Sequence, residues 1–147
     1  MLDPRVARIS ALVTAVVMIV GAVGTWASAE IGGGVNLTIG GTEGGRDGTI
    51  IIVCAAIIIV AALVNNRALG IVGVVAAVAA AATCIYDLID INNKEILNVG
   101  WGLWVALIAS VVAVGDTVML VRSRRGETPP PVAPPPAEPT LPGVPTE

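Results

Sequence analysis

The chain has 147 residues, of which 55% are hydrophobic and 13% charged, and a soluble domain usually carries about 25% charged residues, so water is not its main solvent. It contains no His and no Phe, and its net charge is −3. These features remove the side chain best suited to acid–base work near neutrality, an aromatic core, and the basic face of a nucleic-acid binder.

A helix needs about 20 apolar residues, with a usable range of about 17–25, to cross a hydrocarbon core of ~30 Å. The first such run covers residues 9–26, with Arg5 and Arg8 ahead of it. It is followed by Ala27-Ser28-Ala29, which gives the layout of a secretory signal with an A-x-A cleavage site. Two readings stand: a retained membrane anchor, favoured by the length of the run and by Trp26 beside the cleavage point, or cleavage after Ala29, which leaves three spans.

A glycine-laden stretch then leads to Gly48. Within it Val35, Leu37 and Ile39 alternate as in a strand, and Gly40, Gly41, Gly44 and Gly45 supply turns. This predicts a small β-hairpin or Ω-like cap. Asp47 is placed to cap the second helix. Asn36-Leu37-Thr38 matches a glycosylation acceptor, but three residues are too few to carry a function.

The second run, 49–64, is short. Asn65-Asn66-Arg67 allows only a tight connection to the third run, 68–86, so these two form an antiparallel helical hairpin. Cys54 and Cys84 then lie ~18 Å and ~27 Å from the joint at ~1.5 Å per residue, a mismatch beyond the ~7 Å reach of a disulfide, and both read as small apolar residues. In the connection from Asp87 to Asn98, the carboxylates Asp87, Asp90 and Glu95 are potential oxygen ligands for a hard cation such as calcium. Their spacing matches no dedicated loop, and they read as solvated acids. The fourth run covers residues 99–121. Beyond Arg125, nine prolines from Pro129 to Pro145 exclude helix and core, leaving residues 126–147 as a disordered, polyproline II-rich tail. That tail serves as a tether or as a docking peptide for a cytoplasmic partner.

Orientation follows from Lys and Arg. Arg5, Arg8, Arg67, Arg122, Arg124 and Arg125 fall on one side of a four-span path, and only Arg46 and Lys94 on the other. The first side is cytoplasmic. Trp26, Tyr86, Trp101 and Trp104 all fall near outer ends of spans and read as an interfacial belt. The predicted fold is an all-α membrane protein of four transmembrane helices in residues 1–125, multi-pass in the cell membrane, with both termini cytoplasmic and a small outer β-hairpin-like loop.

Small or weakly polar residues recur at spacings of three and four: Ser10, Thr14, Val17, Gly21, Gly24; Gly70, Gly73, Ala77, Ala80, Cys84; and Gly102, Ala106, Ala109, Ala113, Asp116. Each set keeps to one helix face, where small side chains let backbones approach closely. Asp116 is ionisable and within a span, so it points toward protein rather than lipid. Its candidate companions are Ser10, Thr14 and Arg8, with Arg122 ~9 Å further along the helix axis. A structural ion pair or hydrogen-bonded carboxylate is the leading reading, and proton or ion translocation the alternative.

The arginine-flanked span ending at Trp26, the loop closing on Asp47-Gly48, the Tyr86-Asp87 end of the third span and Val99-Gly100-Trp101-Gly102-Leu103-Trp104 resemble small four-span membrane proteins of actinobacteria and actinobacteriophages. The resemblance covers residues 5–125. It implies a retained first span, a cytoplasmic membrane, and no catalytic residues to carry over. Three functions are open: a non-enzymatic scaffold or subunit of a membrane assembly, with lipid, a second copy or another membrane protein as partner; a phage-related exclusion factor or holin-like pore; and a small transporter or channel using Asp116. No nucleophile–base pair, phosphate loop or metal cluster points to an enzyme, a cofactor or a metal.

Overall fold

The computed structural model describes residues 4–31, 35–43, 47–64, 66–94 and 97–123. The proline-rich tail, 126–147, lies outside the described residues, as do Arg46, Glu95, Arg124 and Arg125. The elements are α1 (Pro4–Val23), β1 (Thr25–Ile31), β2 (Val35–Gly40), α2 (Asp47–Leu63), α3 (Arg67–Asn92), β3 (Asn98–Val99) and α4 (Trp101–Ser123). The four helices pack as a ring, each on its neighbours in chain order and α4 back on α1.

Three helices are long and apolar enough to cross a membrane, namely α1 from Arg5, α3 and α4; α2, with 17 residues, is shorter. Even so, α2 runs the depth of the bundle. Gly48 at its start donates to Gly41 O beside the strands, and Ala62 near its end clusters with Ala7 and Ala11 of α1 and Leu120 of α4. The contacts alternate in direction. Gly21 meets Ala106 while Ser10 meets Asp116, so α1 and α4 are antiparallel, and Gly73 near the start of α3 meets Ala61 near the end of α2.

The interior is built mainly from small side chains, with Met18, Ile51, Ile58, Leu103 and Leu120 as its large members. Ala11, Ala15, Ala22, Ala55, Ala77, Ala80, Ala106 and Ala113 are fully buried, whereas Val13, Val16, Val20, Val53, Val75, Ile108 and Val111 are exposed. This reverses a soluble bundle, where the large apolar residues go inside. Where the surrounding solvent is as apolar as the core, close van der Waals packing drives association, and small residues permit it. The stripe residues Gly21, Gly70, Gly73, Ala77, Ala80, Gly102, Ala106, Ala109 and Ala113 are buried, and Gly24 half-buried. Val17 departs from the expected stripe and is exposed. The buried face of α1 also takes in Ala7, Ala11, Ala15, Met18 and Ala22, beside Thr14 and Gly21 of the stripe.

The strands correct the predicted span limits. The first helix ends at Val23 rather than residue 26, because the chain bends at Gly24 and enters β1. The fourth begins at Trp101 rather than 99, because Asn98–Val99 pairs with β1. The predicted hairpin is therefore the central strand and one edge of a three-stranded antiparallel sheet, ordered β2-β1-β3. Ala27-Ser28-Ala29 lies within its central strand, opposite Ile39, Thr38 and Leu37. The third helix continues to Asn92 instead of stopping at residue 86. Asp47 occupies the first turn of α2 rather than its cap, where a carboxylate still opposes the positive end of the helix dipole. Asn66 caps α3, accepting from Ala68 N at 2.8 Å.

At the α1–α4 crossing a methyl added to Gly102 would lie 2.7 Å from the Gly24 carbonyl carbon, and one added to Gly21 2.6 Å from Ala106 N. Both obstacles are backbone and cannot rotate away. Gly102→Val is therefore expected to destabilise the bundle by roughly 1–3 kcal/mol through overpacking. Gly115→Ala is expected to be neutral or slightly stabilising, since nothing lies within 4 Å of its added carbon. Denaturant unfolding in mixed micelles compares the two, and equal stabilities would remove the crossing from its structural role.

Candidate functional site

Two polar sites occur, one inside the bundle and one at its sheet end. Inside, Ser10 Oγ donates to Asp116 Oδ1 at 2.9 Å and Thr14 Oγ1 to Asp116 Oδ2 at 3.0 Å. Ser10 and Thr14 are one turn apart on α1, so both hydroxyls face one carboxylate on α4, and each oxygen has a donor. Arg8, half-buried nearly two turns before Thr14, has its own interactions. Further hydroxyls bond within their own helices: Ser110 donates to Ala106 O, Thr117 to Ala113 O, and Thr83 to Ala79 O. Cys54 and Cys84 are free, buried thiols.

At the sheet end, backbone bonds stitch the strands to the helix ends. Gly41 N donates to Gly24 O and Gly100 N to Trp26 O. The register of β1 against β2 shifts between Thr25 and Ala27. A bulge of this kind re-aims a side chain, and the Trp26 indole at this step donates to Gly21 O at 2.9 Å. Trp26, expected in the interfacial belt, is instead only 5% exposed and part of the protein core. Tyr86, Trp101 and Trp104 are exposed near the same end.

Beneath the sheet lies a cavity of about 240 Å³ whose walls include Trp26, Ile39, Asp47, Asp87 and Asp90. Asp87 was read from sequence as a solvated acid. It is only 7% exposed, and its Oδ2 has no hydrogen-bond partner. The reason is the continuation of α3: Gly70, Gly73, Ala77, Ala80, Cys84, Asp87 and Ile91 form one buried face. The predicted third span ends at residue 86, so Asp87 falls just beyond it, toward the sheet end of α3. Burial pushes its carboxyl up to about 7, aided by the Asp47 charge, by a side-chain hydrogen bond shared with Asp47, and by the Asp90 charge. Asp90 itself is exposed and pairs with Lys94. Among the described residues no three His, Cys, Asp or Glu side chains are grouped to hold a metal ion.

No family model, curated protein or solved structure matches the chain.

Asp116→Ala strands two hydroxyls inside the bundle and is expected to cost about 1–3 kcal/mol, with Asp116→Asn closer to the parent because it keeps one acceptor. A double-mutant cycle of Asp116→Ala with Thr14→Val checks the direct bond; coupling near zero would show that the pair contributes nothing.

Asp87 predicts a pH dependence of stability. Its folded value of about 7 exceeds the ordinary 3.8, so between these the folded chain binds a proton that the unfolded chain has lost. Stability from this group is full near pH 4, falls as pH rises toward 7 by at most about 1.4 kcal/mol per pH unit, and levels off above it. Asp87→Asn is expected to flatten that slope and to be more stable than the parent at pH 8. An unchanged slope in micelle unfolding curves would exclude Asp87 as its source.

Proposed function

We propose that the chain is a small polytopic protein of the cell membrane, a non-enzymatic scaffold or subunit of a membrane assembly. All four helices cross the bilayer, with α2 as the shortest crossing, and the first helix is retained. Both termini lie in the cytoplasm and the sheet faces outward. The observation that carries this reading is the use made of polar groups inside the bundle. Asp116 is held by two hydroxyls of α1, and Ser110, Thr117 and Thr83 each bond a carbonyl of their own helix. A translocation path uses polar groups at successive depths facing a common lumen. Here they tie helices together or fold back on them.

The exposed surfaces support partners in the bilayer. Branched side chains face outward along every helix, Trp101 and Trp104 stand out near the sheet end of α4, and Tyr86 near that of α3. The orientation rests on Arg5, Arg8, Arg67 and Arg122 at the end opposite the sheet, against a sheet end that carries Glu30, Glu43, Asp47, Asp87 and Asp90.

In native membranes, in-membrane crosslinking and single-molecule photobleaching should reveal a stable homo-oligomer or a stoichiometric membrane partner. A monomer that purifies alone would overturn the scaffold reading. Proton or sodium flux in liposomes above the protein-free level, lost in Asp116→Asn, would replace it with transport. Tags at both termini should be protected from external protease in intact cells while a tag beside Leu37 is cut.

A further inference from the structure

The sheet-end cavity combines three features that the bundle's packing does not require. One is a carboxylate, Asp87, that is nine-tenths buried and lacks a donor for Oδ2. Another is the acidic wall around it: Asp47 from the first turn of α2, Asp90 from α3, and Glu43 from the β2–α2 connection. The last is an apolar wall made by Ile39, Ile91 and Leu97. A buried carboxylate oxygen without a donor costs free energy that a donor in the cavity would recover.

The chemistry of that donor is constrained. A hard divalent ion takes six to eight oxygens at about 2.3–2.6 Å, and the described residues contain no group of acids arranged for one. A volume of about 240 Å³ is also far larger than a bare ion. The rim already receives a primary ammonium, since Lys94 Nζ bonds Asp90 Oδ2. An alkylammonium places N–H donors on carboxylates and a short carbon chain on apolar wall.

We propose that this cavity is a binding site for a small organic monocation, a primary alkylammonium, whose charge is held by Asp87 and Asp47 and whose carbon chain lies against Ile39, Ile91 and Leu97. Rotation about the Asp87 Cβ–Cγ bond presents either oxygen to the ammonium, and Asp47 supplies a second acceptor. Lys94 stays on Asp90 at the rim, so the described groups facing the ligand are Asp47, Asp87, Asp90, Glu43 and Lys94. Only the ionised form of Asp87 takes the cation, so binding displaces its proton. The site is independent of the scaffold reading, because it needs no partner protein and no particular orientation.

The test is calorimetric titration of the full chain in maltoside micelles with n-butylammonium chloride at constant ionic strength. At pH 8, saturable binding of one cation per chain is expected. At pH 6 the apparent affinity should fall about tenfold, with proton uptake by the buffer accompanying binding, as follows for a group with a value of about 7. Asp87→Asn and Asp47→Asn should each remove the binding while keeping the parent's elution volume, and Glu30→Gln, on the exposed edge of β1, should leave it unchanged.

Absence of saturable heat at pH 8 would overturn the proposal. So would equal binding of n-butanol, which would show an apolar pocket alone, or tighter binding of calcium chloride, which would show a metal site. Should Asp87→Asn fail to fold, the wild-type pH dependence decides: affinity equal at pH 6 and pH 8 overturns the role of Asp87.

Discussion

The architecture depends on one close approach, that of α1 and α4 at Gly21, Gly24, Gly102 and Ala106. Backbone meets backbone there, with space for no additional carbon at Gly21 or Gly102. Everything at the sheet end inherits its position from this contact. The end of α1 is held against the start of α4, so the chain leaving α1 runs beside the chain entering α4, and Gly100 N reaches Trp26 O. The sheet then forms across the junction, with β3 entering α4 through Gly100. A carbon at Gly100 would lie 2.2 Å from Thr25 O, so this join is as intolerant of bulk as the crossing below it.

Close approach also explains how so few polar groups suffice. Alanine and glycine interfaces gain dispersion contacts over the helix length, which makes polar fastening necessary only where a polar side chain already faces inward. Asp116 is such a case, and α1 answers it with two hydroxyls one turn apart. The pair of bonds fixes the axial register of α1 against α4 at a point roughly 20 Å from the glycine crossing, counting about 14 residues from Gly102 to Asp116 at 1.5 Å each. Two separated constraints, one steric and one polar, determine the relative position of the helices more tightly than either alone.

Much of this arrangement was legible in the chain because spacing of three and four reads directly as a helix face. The stripes of α3 and α4, and the meeting of Asp116 with Ser10 and Thr14, follow from that spacing. Two kinds of feature did not. Strand pairing depends on which distant segments come together, so Asn98-Val99 gives no local sign of pairing with β1, and Trp26 looks like the end of a span until its indole is seen turned onto Gly21 O. In α1, Val17 leaves the stripe while Thr14 and Gly21 stay buried, because Ala7, Ala11, Ala15 and Ala22 widen the small face beside them.

Asp87 was misread for a different reason, one that was present in the sequence. Its alternation continues the α3 stripe past Cys84, to Asp87 and Ile91, but a carboxylate after an apolar run invites the reading that the helix has ended in water. The periodicity outranks the chemistry here, since the helix runs on to Asn92 under the sheet and carries Asp87 inward with it. The same stripe logic that delivers Asp116 to hydroxyl donors delivers Asp87 to a place with none, beside another acid. Two inward carboxylates on equivalent stripes thus have opposite standing: one completes a contact between helices, and the other leaves an unmet electrostatic demand at the end of the bundle. A proton meets that demand in the folded chain near neutrality, and a cation of the right shape meets it without requiring the carboxyl to stay protonated.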